Sequence, residues 1–306
     1  MKIALRGMGS ARFAKKLEKA GIADLVGGIH NELFFDSSWP NPRLEEFLFE
    51  AAKKGSFDLN PWMTFTPKDL ATAEFHQVRT RKVVEDSQKD YERMFDDIEL
   101  LPWIGNDPKR RYKIQEQVFL SNIRLKPNQV AVVGQWTAEY VVPGLVRKLF
   151  EDARFDGIEF RPVINTRTGL PHDDYFHLYS GHALGARELD IASPEIESNR
   201  AEEQGYDSLG CLCYEPRALK NARDFNRTGE PMVGFRFPGW VVRASVSELF
   251  RDRKLRGWAF EPVLDVESET YRDYTELWSS FYRMLARCVR HTVHCRKIES
   301  IGNVIH

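Results

Sequence analysis

The chain has 306 residues, of which 42% are hydrophobic and 29% are charged, and its formal net charge is −1. This balance is typical of a globular protein and excludes a wholly disordered one. The near-zero net charge argues against a general binder of nucleic acid or of membrane surfaces. The sequence contains no run of about 18 apolar residues, so it predicts no membrane-spanning helix.

The N-terminal region, residues 1–125, predicts a mixture of helices and strands. Apolar residues recur at helical spacing near Arg12–Ala20 and Leu44–Lys53. Glu74–Val84 alternates as a strand does, and the acidic segment Glu85–Glu99 predicts a helix.

A glycine-rich segment near the N-terminus, Gly7–Arg12, imitates a dinucleotide-binding loop. It follows the strand-like Ile3–Leu5 and precedes a helical pattern, as such a loop does. Arg12 stands where the third glycine belongs, and no acidic residue closes a second strand about 20 residues later. We therefore predict no nucleotide cofactor, and no cofactor of any other kind.

The middle of the chain repeats one pattern with a shift of 100 residues and no gap. Residues 133–163 and 233–263 share 12 of 31 positions, against about two expected from average composition. The shared positions are Val133, Gly134, Val141, Val142, Val146, Leu149, Phe150, Asp152, Gly157, Phe160, Pro162 and Val163. The spacing predicts a short helix whose buried side ends at Phe150 and Phe250.

The remaining shared positions predict the ends of elements. Pro143 is expected in the first helical turn, where its missing N–H is not needed. Gly157 predicts the turn into a second strand, and Pro162 predicts its end or a sheet edge. In both copies we expect Leu149 and Phe160, and their counterparts 100 residues later, to be buried.

The predicted fold class is α/β (α+β), with a mixed sheet, an internally duplicated strand-helix-strand module and a C-terminal helix. Module 1 comprises residues 126–208 and includes an acidic connecting segment, and module 2 comprises residues 209–270. The C-terminal part, residues 271–306, predicts a long helix over residues 271–297 that packs on the rest. One side of that helix carries Leu277, Trp278, Phe281, Leu285 and Cys288.

A cluster of histidines and carboxylates lies in module 1. Its members are His172, Asp173, Asp174, His177 and His182. Such residues can bind a metal or perform acid–base chemistry. On a strand, however, His172 and His177 would point to opposite faces, and the turn-like segment before them favours a loop that enters a strand over Tyr175–Tyr179. An enzyme centred on this cluster stays the alternative hypothesis.

The four cysteines are Cys211, Cys213, Cys288 and Cys295. On a helix Cys288, His291 and Cys295 would share one face, which could supply zinc ligands but equally suits a packed core. The N-terminal sequence lacks the apolar core of a signal peptide, so we expect a cytoplasmic protein with unbridged thiols. We predict no metal site.

Parts of both modules resemble a known family. The resemblance lies in YVVPGLVRKLFEDARFDGIEFRPV and DFNRTGEPMVGFRFPGWVVRASVSELFRDRKLRGWAFEPVL, and more weakly in FHQVRTRKVVEDSQKDY. These stretches resemble the double-CXXCG proteins of myxobacteria and related presumptive immunity proteins of bacterial polymorphic toxin systems. The name-giving CxxC-Gly pairs are absent, and Cys211 and Cys213 form only a CxC, so no metal role carries over.

The resemblance implies an immunity-type protein that neutralises a cognate toxin by stoichiometric binding. The toxin or effector is then the partner, with neither membrane nor nucleic acid involved, and the oligomeric state is left open. An acidic patch in the connecting segment could contact a basic toxin, although an ordinary solvated loop has the same composition. The patch comprises Glu195, Glu197, Glu202 and Glu203. Nothing in the sequence requires an enzyme, and a scaffold or regulatory module is a third possibility.

Overall fold

The structure is a computed structural model that describes residues 1–29, 32–52, 58–84, 97–101, 109–113, 117–134, 138–188, 211–231 and 238–289. Helices, antiparallel sheets and a mixed sheet occur together in these residues, which confirms the predicted α+β class. None of the helices in these ranges is long and apolar enough to span a membrane.

The helices of the described residues are α1 (Ala11–Lys19), α2 (Pro42–Ala52), α3 (Pro67–Thr72), α4 (Gly144–Asp152), α5 (Pro216–Leu219), α6 (Ala244–Asp252) and α7 (Glu269–Val289). The strands of the first half are β1 (Lys2–Ser10), β2 (Asp24–Ile29), β3 (Glu32–Trp39), β4 (Asp58–Thr64), β5 (Phe75–Thr80), β6 (Val83–Val84), β7 (Asp97–Leu101), β8 (Lys109–Lys113) and β9 (Val118–Phe119). Those of the second half are β10 (Ala131–Val133), β11 (Tyr140–Pro143), β12 (Glu159–Ile164), β13 (Pro171–Tyr179), β14 (Cys213–Tyr214), β15 (Phe225–Pro231), β16 (Pro238–Arg243), β17 (Trp258–Pro262) and β18 (Leu264–Asp265).

The N-terminal strands form an antiparallel sheet in the order β2-β3-β1-β4. The segment that imitates a dinucleotide loop belongs to this sheet, because β1 continues to Ser10 and α1 begins at the next residue. Gly7 pairs with Phe35 of β3, whose ring occupies the space a β-carbon would need. Glycine here permits close packing of a side chain on a strand.

The C-terminal helix α7 packs on the N-terminal sheet and on α2. Trp278, Phe281, Leu285 and Cys288 are buried on the predicted side, and Leu277 is half-buried beside them. The helix is thus confirmed from Glu269 to Val289, while the predicted continuation to residue 297 lies outside the described residues.

The duplication is confirmed by the order of elements in the two modules. β11, α4 and β12 of module 1 correspond to β16, α6 and β17 of module 2. The turn after each helix has the same backbone conformation: φ is 57° at Arg154 and 53° at Lys254, and both Gly157 and Gly257 have positive φ. Phe150 and Phe250 are buried, as predicted.

The central strands of the two sheets come from different parts of the chain. β13 lies between β11 and β12 in a six-stranded sheet of order β6-β10-β11-β13-β12-β9. In the four-stranded sheet of order β15-β16-β5-β17, that central place is taken by β5 from the N-terminal region. His177 pairs with Val141 and Arg161, and Gln77 pairs with Val241 and Glu261, so the shift of 100 residues extends to the central strands.

One hydrophobic core is shared by the two sheets, and equivalent residues meet in it. The rings of Phe150 and Phe250 lie 6.2 Å apart, and those of Tyr140 and Trp240 lie 5.8 Å apart. Contact between a residue and its own counterpart indicates an approximate twofold relation between the modules.

Several predicted details are wrong. Leu149, Leu249, Phe160 and Phe260 are only half-buried, because they pack against this core from its outer side. Pro143 ends β11 and directly precedes α4.

Two predicted boundaries also differ. Pro162 lies inside β12, which continues to Ile164 through an irregularity in its pairing with β13. Asp97–Leu101 is the strand β7, paired with β8, so the helix predicted over Glu85–Glu99 is wrong at its end. Residues 85–96 lie outside the described residues.

Candidate functional site

The histidine-carboxylate cluster lies on and just after β13, where four of its members are part of the strand and not of a loop. The histidines contact three different parts of the chain. The Nε2–H of His172 donates to the carbonyl of Leu120 over 2.9 Å, and that of His182 donates to the carbonyl of Asn221 over 3.2 Å.

The two aspartates of the cluster, Asp173 and Asp174, are exposed. Among the described residues, no three histidine, cysteine or carboxylate side chains are grouped so that they could hold a metal ion. The predicted candidates therefore share a strand without converging on one point.

His177 belongs to a buried polar network that the sequence analysis did not identify. Its Nε2 lies 2.7 Å from Oε2 of Glu139, the residue before β11. A guanidinium nitrogen of Arg227, in β15, lies 3.0 Å from the other oxygen of the same carboxylate. All three side chains are buried, so one carboxylate joins β13 to a strand of the other sheet.

The network is ionised at its centre. Burial alone would raise the pKa of the Glu139 carboxyl, but the charge of Arg227 and the hydrogen bond from His177 lower it to about 2. An ionised carboxylate can only accept hydrogen bonds, so the Nε2–H of His177 is the donor in the bond to Glu139. The Nδ1 atom of His177 is also buried and has no hydrogen-bond partner among the described residues.

Arg227 and Trp240 extend the network. Both donate to the carbonyl of Ala138, Arg227 over 3.0 Å and the indole N–H of Trp240 over 2.5 Å. The guanidinium also lies over the indole ring, 4.7 Å from its centroid. These contacts hold the arginine in one orientation, so the arrangement stabilises the junction of the two modules.

The network has no counterpart across the approximate twofold axis in the described residues. Glu139 corresponds to Gly239, and His177 to Gln77. Arg227 corresponds to Val132: the N–H of Arg227 donates to the carbonyl of His182 as that of Val132 donates to Lys82. A difference between aligned copies, such as Glu139 against Gly239, is the sequence signal that could have identified the site.

A second feature of module 1 is an open groove between α4 and β12, with a volume of about 500 Å³. Phe155, Ile158 and Phe160 supply its apolar surface, and the buried Phe150 lies behind them. The rings of Phe155 and Phe160 lie 5.9 Å and 6.5 Å from that of Phe150. The groove thus has an aromatic floor that continues into the shared core.

The rim of this groove carries two ion pairs. Arg147 contacts Glu151 over 2.8 Å within α4, and Arg161 contacts Glu159 over 3.2 Å within β12. The guanidinium of Arg147 also lies 4.4 Å from the ring centroid of Phe176. Positive and negative charges balance, so the groove favours neither an anion nor a cation.

The corresponding place in module 2 is occupied by a larger side chain. Trp258, at the position of Ile158, is buried and stacks on Phe250 with ring centroids 4.9 Å apart and planes 6° apart. Ile158 is half-buried and lines the groove together with Phe155 and Phe160.

The other predicted candidates are buried or lie outside the described residues. Cys211, Cys213 and Cys288 are buried and form no disulfide, and burial, with Glu45 nearby, raises the pKa of Cys288 to about 11. The predicted acidic patch of Glu195, Glu197, Glu202 and Glu203, together with His291 and Cys295, lies outside the described residues.

No protein-family model matches this chain, and a search of curated proteins finds no match.

Proposed function

We propose that this protein is an immunity-type protein that neutralises a cognate bacterial toxin by binding it stoichiometrically. The observation that carries the proposal is the open groove between α4 and β12. Its aromatic floor and charge-balanced rim have the composition of a protein-binding surface, in which a desolvated apolar centre is surrounded by polar groups. The sequence resemblance to presumptive immunity proteins supports the same function.

The scaffold around the groove suits a binder. Phe150 behind its floor contacts Phe225 and Phe250 of module 2, with ring centroids 5.3 Å and 6.2 Å away. A binding surface held in place by a packed core loses little conformational freedom when the partner docks. A toxin would therefore meet a surface that is already formed.

The test is coexpression with the product of the neighbouring gene, followed by native mass spectrometry and a growth assay. We expect an equimolar complex, and protection that requires at least as much of this protein as of the toxin. Protection of cells at levels far below those of the toxin, or the absence of a complex, would contradict the proposal.

The enzyme hypothesis stays a prediction, and the Glu139–His177 pair gives it one specific observation, since a carboxylate orients many catalytic histidines. Both ring nitrogens of His177 are buried, however, so a substrate would have to displace covering residues. The decisive variant is His177→Ala. If it still binds the toxin but no longer protects cells, the enzyme hypothesis is favoured over neutralisation by binding.

The acidic patch can be tested in the same complex. If Glu202 and Glu203 contact the toxin, replacing both with lysine should slow association, because rim charges act mainly on the encounter rate. The effect should shrink as the salt concentration rises above about 0.15 M. A change in the groove should instead speed dissociation with little dependence on salt.

A further inference from the structure

The groove runs along the edge of a strand. Four consecutive residues, 158–161, line it beside Arg147, Phe150 and Glu151 of α4. Successive side chains of a strand point to opposite faces of the sheet, so a space lined by three successive strand residues, 159–161, lies beside the strand. The groove is therefore bounded by a helix on one side and by the edge of β12 on the other.

This part of β12 is an open edge in the described residues. β13 pairs with β12 on its inner side from Glu159 onward. On the outer side β9 pairs only with Val163 and Ile164. Among the residues that the structure describes, no strand pairs with the outer side of β12 from Glu159 to Arg161. An edge with unpaired N–H and C=O groups is a template for another strand.

The groove also determines which side chain a strand bound at this edge should present. Its floor is aromatic, and in module 2 the corresponding place beside Phe250 is filled by the indole of Trp258. In module 1 a large apolar side chain can instead contact Phe155 and Phe160, which are half-buried on the groove side of Phe150. The two arginines at the rim each form an ion pair with a glutamate, so their charges do not require an ionic ligand.

We propose that the groove binds an extended segment of the partner toxin, which adds to β12 as a further strand. Residues of that segment should alternate, with one large apolar side chain on Phe155 and Phe160 and polar neighbours facing Arg161 and Glu159. Main-chain hydrogen bonds would supply affinity and the apolar side chain would supply specificity, as in other cases of strand addition. This inference rests on the proposed function, because it describes how the toxin is held.

A displayed library of random peptides of about ten residues, the length of a long strand, provides the probe. The library is selected on the full chain, and the strongest binder is measured by fluorescence anisotropy. We expect selected sequences with a large apolar residue between polar ones. Amide exchange at Glu159–Arg161 should slow when the peptide is bound. Failure to select any such peptide, or protection confined to other strands, would overturn strand addition.

The duplication offers a matched control. Glu151 and Arg251 are exposed at equivalent positions of α4 and α6, so each should accept tryptophan without harm to the core. Glu151→Trp places an indole in the groove and should weaken peptide binding by about tenfold or more, the loss of one good contact. Arg251→Trp should leave binding unchanged. Equal effects of the two variants would contradict the proposed site.

A second variant, Ile158→Trp, fills the groove from its floor and should also abolish binding. The same variants separate this inference from the proposed function. If Glu151→Trp still forms the equimolar toxin complex and protects cells as well as the unmodified protein does, strand addition fails and the proposed function stands. If the unmodified protein forms no toxin complex, the proposed function itself fails.

Discussion

The two modules share a backbone pattern and differ in side chains, some of which are buried in or beside the shared core. They have the same order of elements and the same turn conformation, and Phe150 and Phe250 meet at their interface. Module 1 alone combines a groove beside Ile158 with a buried Glu139, whereas module 2 has Trp258 and Gly239 at these positions. Positions that agree maintain the fold, and positions that differ mark where one copy could acquire a function of its own.

The largest effect should come from the residues on which the modules agree. Phe150→Ala and Phe250→Ala should each lower the free energy of unfolding by about 3–5 kcal/mol, because each leaves a cavity in the shared core. Chemical denaturation monitors both. Leu145→Ala is the control, since Leu145 is 47% exposed on the same helix as Phe150. A loss below about 1 kcal/mol in only one phenylalanine variant would show that the modules are not energetically equivalent.

The buried carboxylate should make the stability of the protein depend on acid pH. The pKa of Glu139 is about 2 in the folded protein, whereas the ordinary pKa of a glutamate side chain is 4.5. Its contribution is therefore fully present above about pH 4.5 and is lost as the pH falls towards about 2. The shift corresponds to about 3 kcal/mol.

Replacing Glu139 with glutamine should cost a similar amount at neutral pH, because Arg227 then stays buried without its countercharge. The difference between the two proteins should shrink on acidification through that window. Glu261→Gln is the comparison in module 2, where the pair with Arg79 is partly exposed and should contribute less than about 1 kcal/mol. A constant difference across the window would contradict an ionised Glu139.

Replacing the glycines of the two turns with alanine should destabilise the protein to different degrees. Gly257→Ala and Gly157→Ala should cost about 1–3 kcal/mol, since both have positive φ and face a carbonyl oxygen. A β-carbon at Gly257 would meet only backbone atoms of Val130, whereas at Gly157 part of the obstruction is the flexible side chain of Arg223. We therefore expect the larger loss at Gly257.

Gly169 separates backbone strain from crowding, because it has a φ of 71° with no atom near its absent β-carbon. Gly169→Ala should cost only the strain, about 1 kcal/mol. If Gly257→Ala costs no more than this variant in thermal or chemical denaturation, close packing against Val130 is not important.

The smallest expected effect concerns the hydroxyl of Tyr140, the residue that meets its counterpart Trp240 at the approximate axis. The Tyr140 hydroxyl lies 2.7 Å from Oγ1 of Thr80, and burial raises the pKa of this tyrosine to about 12. Tyr140→Phe should cost about 1 kcal/mol through loss of that hydrogen bond. A double-mutant cycle with Thr80→Val should show coupling between Tyr140 and Thr80. Additive losses of unfolding free energy would contradict the hydrogen bond.

The sequence predicted what is encoded locally. Helix α4, its copy α6 and the turns after them follow from spacing and from twelve identities. The equivalence of the two central strands escaped detection because β5 and β13 share no identical residue over positions 75–80 and 175–180, although their pairing registers correspond. A strand that needs only apolar residues on alternate sides can change every residue and keep its place.

The partners that Glu139 meets in the buried network could not be predicted from the sequence, for a different reason. Glu139 and Arg227 are far apart in the chain, and each looks like an ordinary charged residue until the sheets bring them together. The same holds for Gly7, whose role depends on Phe35 in a neighbouring strand. Local patterns identify elements, whereas contacts between distant strands decide which side chains meet.

The position of β5 also has a consequence for synthesis on the ribosome. Gln77 pairs with Val241 and Glu261, so β5 is made early but finds its neighbours only when the last third of the chain has emerged. Until then this strand has two open edges, a condition that favours aggregation. Translation arrested before residue 238 should therefore leave nascent chains that bind chaperones tightly, and completion of β17 should release them.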